Sequence, residues 1–183
     1  KKVWRTLFVI TIAVPQFVSL LLMRNFLNDH GPLNGLLQTL HLTNGPIPFL
    51  TDPLWAKFSI IFVNMWIGIP FTMLVATGII MNLPSEQIEA AEIDGASKLQ
   101  IFKSITFPQI LLIMAPSLIQ QFIGNINNFN VIYFLTGGGP TNSEYYQAGS
   151  TDLLVTWLYK LTVSAKDYNL ASVIGILIFA ISA

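Results

Sequence analysis

Long apolar runs alternate with polar connectors along the whole chain. The first run extends from Leu7 to Met23, and only Thr11, Pro15, Gln16 and Ser19 interrupt it. The second covers 57–81 and contains Asn64, Trp66, Gly68 and Pro70. The third covers 105–135, with Pro108 near its start and Pro116 inside it. A last run opens at Asn169 and continues to Ala183. A helix needs roughly 20 apolar residues to cross a bilayer, and the first three runs, with their flanks, are long enough. The expected fold is therefore all-α, a polytopic bundle of membrane helices with about four spans visible. Pro15 predicts a kink in the first span. The chain has no initiator Met, and its last run is shorter than a span, so the sequence is expected to be a piece of a longer membrane subunit.

The connectors carry their own signals. Residues 24–56 hold Gly31-Pro32, Asn44-Gly45-Pro46, Pro48 and Asp52-Pro53, all turn formers. The apolar piece Leu36 to Leu42 is expected to lie along the membrane interface. Residues 136–168 read as a long loop entered through Gly137-Gly138-Gly139-Pro140, with an amphipathic helix over 152–161 (DLLVTWLYKL). The remaining connector, Glu89 to Pro108 (EAAEIDGASKLQIFKSITFP), is a polar island between two apolar runs. It predicts two short helices with a hinge. Pro84 and Ser85 start the first, Ser85 as its cap, with Glu86 and Glu89 at the positive end of the dipole. Gly95 ends it in the left-handed conformation. Ser97 caps the second helix, and Gln100 completes a capping box. Ala90 and Ala91 leave the first helix open to close approach by another protein.

Composition supports the membrane as solvent. Only 10% of residues are charged against roughly 25% in soluble domains, and mean hydropathy is +0.63. Net charge is zero, which gives no reason to expect a nucleic-acid partner. Without cysteines there is no disulfide or thiolate metal site, and His30 and His41 both fall in a polar connector. No glycine-rich phosphate loop with its lysine is present, so ATP hydrolysis is not expected on this chain. Lys1, Lys2 and Arg5 favour a cytoplasmic start. The topology then puts 24–56 and 136–168 outside and the Glu89 loop inside. Counting all bases gives five inside and four outside, which adds little.

Polar side chains inside spans are costly and point to function by default. Asn64 should lie about seven residues into its span, roughly 10 Å deep. Gly68 is one turn further on the same face, with Phe71 beside it. Gln121, Asn125 and Asn128 follow i, i+4, i+7 spacing, one helix face. Amides offer donors and acceptors to a neutral polyol without adding charge. No Asp, Glu, Lys or Arg occurs between Phe58 and Met81 or between Ile105 and Leu135, which argues against a charged substrate and a carboxylate proton relay. Bonds between helices would explain Asn64 equally well. Asn127 and Asn130 should point elsewhere.

The pattern Glu89-Ala90-Ala91, then Gly95, then Ile105-Thr106-Phe107-Pro108 resembles the signature of permease subunits of bacterial ABC importers, with Phe107 in place of a leucine. The resemblance implies a coupling helix near 85–96 that docks into an ATPase subunit through Glu89, Ala90, Ala91, Asp94, Gly95, Ile105 and Pro108. The stretches 64–71, 121–140 and 148–154 are similar to the larger permease subunits of maltose and maltodextrin systems. That likeness implies a sugar held by Asn64, Gly68, Asn125 and Asn128. Phe71 stands where that group has a tyrosine, and Gly124 where it has a stacking aromatic. The implied partners are a second permease subunit, ATPase subunits carrying ATP and Mg, an external sugar-binding protein, an oligosaccharide and membrane lipid. The implied location is a bacterial inner membrane, crossed several times. The whole chain is then one transmembrane permease domain, with a cytoplasmic coupling loop at 85–104 and an external loop at 136–168. An ion-coupled secondary transporter would want intramembrane acids. A membrane scaffold would tolerate leucine at Asn64, Asn125 and Asn128.

Overall fold

A computed structural model of the protein describes residue 6 and residues 12–183. The basic cluster Lys1, Lys2 and Arg5 and the start of the first apolar run lie outside the described residues. Among the described residues the architecture is helical, with a single isolated β-bridge between Thr141 and Gly149.

Helix α1 (Gln16–Phe26) begins directly after Pro15, whose ψ of 133° is extended. The expected kink is thus a break, because the residue before a proline is driven out of the helical region and Val14 is non-helical. The connector that follows folds around Asn34 at the start of α2 (Pro32–Thr39). Asn34 is buried; its Nδ2 donates to the carbonyls of Asn28 and Ile47, and its Oδ1 accepts the Ile47 N–H at 2.8 Å.

Helix α3 (Pro53–Met81) starts four residues before the apolar run. Asp52 accepts the N–H groups of Leu54 and Trp55 at 2.9 and 3.0 Å, and Pro53 occupies the first helical position, where its missing N–H costs nothing. Asn64 consequently sits eleven residues into the helix, roughly 16 Å along it rather than 10 Å. Helix α4 (Ser85–Ile93) follows after a short turn. The chain reverses at Gly95 into α5 (Lys98–Ile101), passes through a π-helical turn (Phe102–Thr106) and continues as α6 (Phe107–Ile126). The expected second short helix is therefore the first turn of the next long one. A break at Asn127 and Asn128 separates α6 from α7 (Phe129–Leu135). The last elements are α8 (Leu154–Lys160), a π-helical turn (Leu161–Ala165) and α9 (Tyr168–Ser182).

Among the described residues, two helical runs, Pro53–Met81 and Lys98–Leu135, are long and apolar enough to cross a membrane; α9 is apolar but shorter. Of the four expected spans, the first falls partly outside the described residues. Little of either long run is buried, and large side chains such as Phe62, Leu112 and Phe122 face outward. Lipid or a partner chain, not water, suits such surfaces. The interior is small. Leu20, Leu27, Val63, Val131 and Leu135 join α1, α3 and α7, and Leu161, Ala171 and Ile174 join α9 to the π-helical turn after α8.

The segment after α7 is tied down by polar groups. Gly137 and Gly138 take φ of +63° and +81°. Asp152, 2% exposed, accepts from Lys160 Nζ at 2.6 Å and from the Gly149 N–H at 2.7 Å. Gly138 packs so tightly on the Asp152 carboxylate, and Gly149 on the Gly138 carbonyl, that a Cβ on either would collide. Thr136 and Thr151 share a hydroxyl hydrogen bond of 2.9 Å.

Candidate site: an uncharged cavity and an exposed helix

Helices α3 and α6 run antiparallel and, with Gln16 of α1, line an open cavity of about 640 Å³. Asn64, Gly68, Phe71, Gln121, Asn125 and Asn128, the six residues expected on sequence grounds, all line it. Among the described residues no charged one does. The amides meet in a chain that crosses between helices. Asn128 Nδ2 donates to Asn64 Oδ1 at 2.9 Å, Asn64 Nδ2 donates to Asn125 Oδ1 at 2.7 Å, and Asn125 Nδ2 donates to the Gln121 carbonyl at 2.9 Å. The interhelical bonds and the cavity lining are thus the same residues. Each amide keeps unused donor or acceptor capacity.

Gln121, Asn125 and Asn128 do not share a helix face, because α6 ends at Ile126. Asn128 reaches the cavity from the break, where its Oδ1 also caps α7 by accepting the Val131 N–H at 3.3 Å. A capping residue prefers non-helical backbone, so the Asn-Asn pair that reads as a polar helix face is a helix start. Asn127 and Asn130 do point elsewhere, to Ser182 at 2.8 Å and to Gln16 at 3.3 Å.

Gly68 and Gly124 face open space, since a Cβ on either would meet nothing within 4 Å. The missing side chains enlarge the cavity. Phe71, 51% exposed, is the one aromatic ring in its wall among the described residues. Thr72 was not among the expected residues. Its Oγ1 lies 2.9 Å from Gln121 Oε1 and 3.2 Å from the Gly68 carbonyl. Its position four residues after Gly68 and eight after Asn64 was a signal available in the spacing.

At the far end of α3, the Glu89 loop reverses at Gly95 as expected, with its second helix continuing into α6 and a different cap on the first. Pro84, not Ser85, is the cap residue of α4, and Ser85 makes no side-chain cap. The rest follows local chemistry. Gly95 has φ +80°; its N–H donates to the Glu92 carbonyl and that of Ala96 to the Ala91 carbonyl, which together close a Schellman turn. Ser97 and Gln100 form the capping box. Glu89, Ala90, Asp94 and Pro108 are exposed, whereas Ala91 and Ile105 are half-buried. Ala91, Asp94, Gly95 and Ile105 line a shallow hollow between α4 and the π-helical turn, and Gln109 donates to Gln87 to hold α4 against α6. Ile93, also not expected, is 87% exposed, an isolated apolar side chain at the helix end.

The family described as binding-protein-dependent transport system inner membrane component matches residues 1–183. The chain is 41% identical over 187 residues to the galactooligosaccharides transport system permease protein GanP of Bacillus subtilis (strain 168), covering 100% of this chain and 44% of that protein. It is 40% identical over 185 residues to the maltodextrin transport system permease protein MdxF of the same organism, covering 97% and 42%. It is 38% identical over 185 residues to the maltose/maltodextrin transport system permease protein MalF of Vibrio cholerae serotype O1 (strain ATCC 39315 / El Tor Inaba N16961), covering 98% and 35%. The chain thus spans less than half the length of these relatives. A solved bacterial ABC transporter involved in the import of the acidic polysaccharide alginate has the same fold, with TM-score 0.78 at 24% identity, over 99% of this chain and 61% of that one.

Proposed function

Because the chain belongs to the family of binding-protein-dependent transport system inner membrane components, we propose that it forms part of the path of an ABC importer for a neutral oligosaccharide. The observation that carries this reading is the cavity between α3 and α6, whose described lining holds amides, aliphatic side chains and one aromatic ring and no charged residue. Amide donors and acceptors suit sugar hydroxyls, and an ionised substrate would find no counter-charge. Maltodextrins are the first candidate. Similarity to a galactooligosaccharide system makes those sugars the second.

In this reading Asn64, Asn125 and Asn128 bind the sugar, with Gly68, Gly124 and Phe71 shaping the space. Those asparagines also hold α3 to α6 and to the start of α7, so a sugar that takes over their bonds loosens that clasp. Binding and movement of α3 against α6 are then coupled, as alternating access requires. Helix α4 docks on an ATPase subunit through Glu89, Ala90, Ala91 and Asp94, with Gly95, Ile105 and Pro108 fixing its pose. The segment 136–168 faces an external binding protein. ATP and Mg belong to the ATPase subunit, and a second permease subunit completes the path across a bacterial inner membrane.

The test is uptake of labelled maltotriose and of a galactotriose by the full complex in proteoliposomes. Asn64→Leu and Asn125→Leu should lower uptake at least tenfold while the complex still assembles. Full uptake in both variants would leave the asparagines a purely structural role and refute the site.

A further inference from the structure

The loop that follows α7 carries a second concave site, outside the cavity between α3 and α6. Helix α7, roughly 10 Å long, leads from Asn128 at the cavity to the root of this loop. The loop backbone is tied shut. Thr141 and Gly149 form the β-bridge, the Ser150 N–H donates to the Pro140 carbonyl at 2.8 Å, and Trp157 Nε1 donates to the Tyr146 carbonyl at 2.7 Å. The tip therefore presents its side chains from a fixed frame, which lowers the entropy cost of binding. Gln147, in the wall of the hollow, is held at φ +57°, a left-handed conformation uncommon outside glycine.

The hollow measures about 310 Å³, at the lower end of the range for small-molecule sites. Asn142, Ser143, Tyr145, Tyr146 and Gln147 make up most of its wall. Lys160 is its one charged residue among those described, and Asp152 already neutralises it. The site thus offers hydroxyls and amides without net charge. Little of that capacity is spent inside the chain. Asn142 Oδ1 accepts the Glu144 N–H at 3.0 Å, but among the described residues its Nδ2 and the Gln147 amide have no protein partner. Tyr145 and Tyr146 are 55% and 57% exposed. A pyranose presents a C–H face that packs on an aromatic ring and a rim of hydroxyls that pair with amides and phenols, and this wall supplies both. Its concavity suits one ring-sized group, not the face of a folded protein.

We propose that Tyr145, Tyr146, Asn142 and Gln147 form an external binding site for one ring of a neutral oligosaccharide, separate from the cavity, which holds the sugar at the outer end of α7 before it enters the path. This inference rests on the sugar-importer reading given above and adds a site to it.

The experiment is saturation-transfer NMR from the full complex in lipid nanodiscs, without binding protein, to maltotriose, or to a galactotriose if that is the sugar the wild type takes up. Transfer should persist in the double variant Asn64→Leu with Asn125→Leu, in which the cavity site is disabled. In that background Tyr145→Ala and Tyr146→Ala should each raise the Kd roughly two- to tenfold, the effect of one lost ring contact. Tyr145→Phe and Tyr146→Phe keep the rings, should retain most of the affinity and guard against a folding failure. No transfer in the double variant, or an unchanged Kd in both alanine variants, would overturn the external site. Alanine variants that keep the sugar affinity but bind the loaded binding protein less tightly would also overturn it and assign the tyrosines to protein docking. A wild-type complex that takes up no neutral oligosaccharide would overturn the importer reading and this site with it, whereas uptake without transfer in the double variant would overturn this site alone.

Discussion

Replacing Lys160 by Met should release the segment between α7 and α8 without unfolding the helices. The Asp152 carboxylate is 2% exposed, and Lys160 supplies its one counter-charge among the described residues at 2.6 Å. With methionine there, the carboxylate keeps the Gly149 N–H and loses the cation. Removing one member of a buried pair costs about 3–5 kcal/mol, and the low end applies because Lys160 is 25% exposed. About 3 kcal/mol corresponds to a change on the order of a hundredfold in a local opening equilibrium. The chain can avoid most of that cost by opening the segment to hydrate Asp152. The assay is hydrogen exchange of the Ser150 and Thr151 amides, which donate to Pro140 and Gly138 carbonyls across the closed segment. They should exchange on the order of a hundredfold faster in Lys160→Met, with the amides of α3 unaffected. The double variant Asp152→Asn with Lys160→Met removes the stranded charge and should recover most of the protection. Wild-type exchange in the single variant would show that the ion pair contributes nothing, and the reasoning from burial would fail.

Two further outcomes follow from the α4 hairpin. Gly95→Val places a β-branched residue at φ +80°, at a cost of at least about 1–2 kcal/mol, and should reduce transport per ATP hydrolysed; an unchanged ratio of uptake to hydrolysis would dismiss the Gly95 turn as a coupling element. Ile93→Asp removes an apolar side chain that is 87% exposed on the chain alone, and should lower recovery of the ATPase subunit in co-purification from detergent; equal recovery would show that Ile93 lies outside the docking surface.

Local chemistry was the most legible part of the sequence. The Gly95 turn, the Ser97–Gln100 box and the Asp52-Pro53 signal all act within five residues, and local backbone sterics and hydrogen bonds decide them without reference to the rest of the fold. The cavity was legible for a different reason: apolar spans make each polar residue conspicuous, and helical spacing groups them. Spacing failed at Asn128. The same residue type serves a helix interior facing a cavity and a helix start, and only the observed break after Ile126 separates the two. Ser85 failed because Pro84, already extended, took the cap position. Thr72 lay on the legible face, but a threonine in an apolar helix normally satisfies itself on the carbonyl four residues back, as this one does on Gly68. Its second contact, to Gln121, is a tertiary fact.

The π-helical turn at 102–106 acts as a phase shifter. It accommodates one residue more than a regular α-helix would over the same rise, and each residue of an α-helix turns it by about 100°. Deleting a single residue there would let the helix run through unbroken, yet would swing α4 about 100° around the axis of α6. Ile93 and Glu89 would then face a different direction while every cap and hydrogen bond within α4 stayed intact. The angular setting of the α4 surface relative to the cavity is therefore stored in the length of one turn, and can be lost or corrected by a single-codon insertion or deletion.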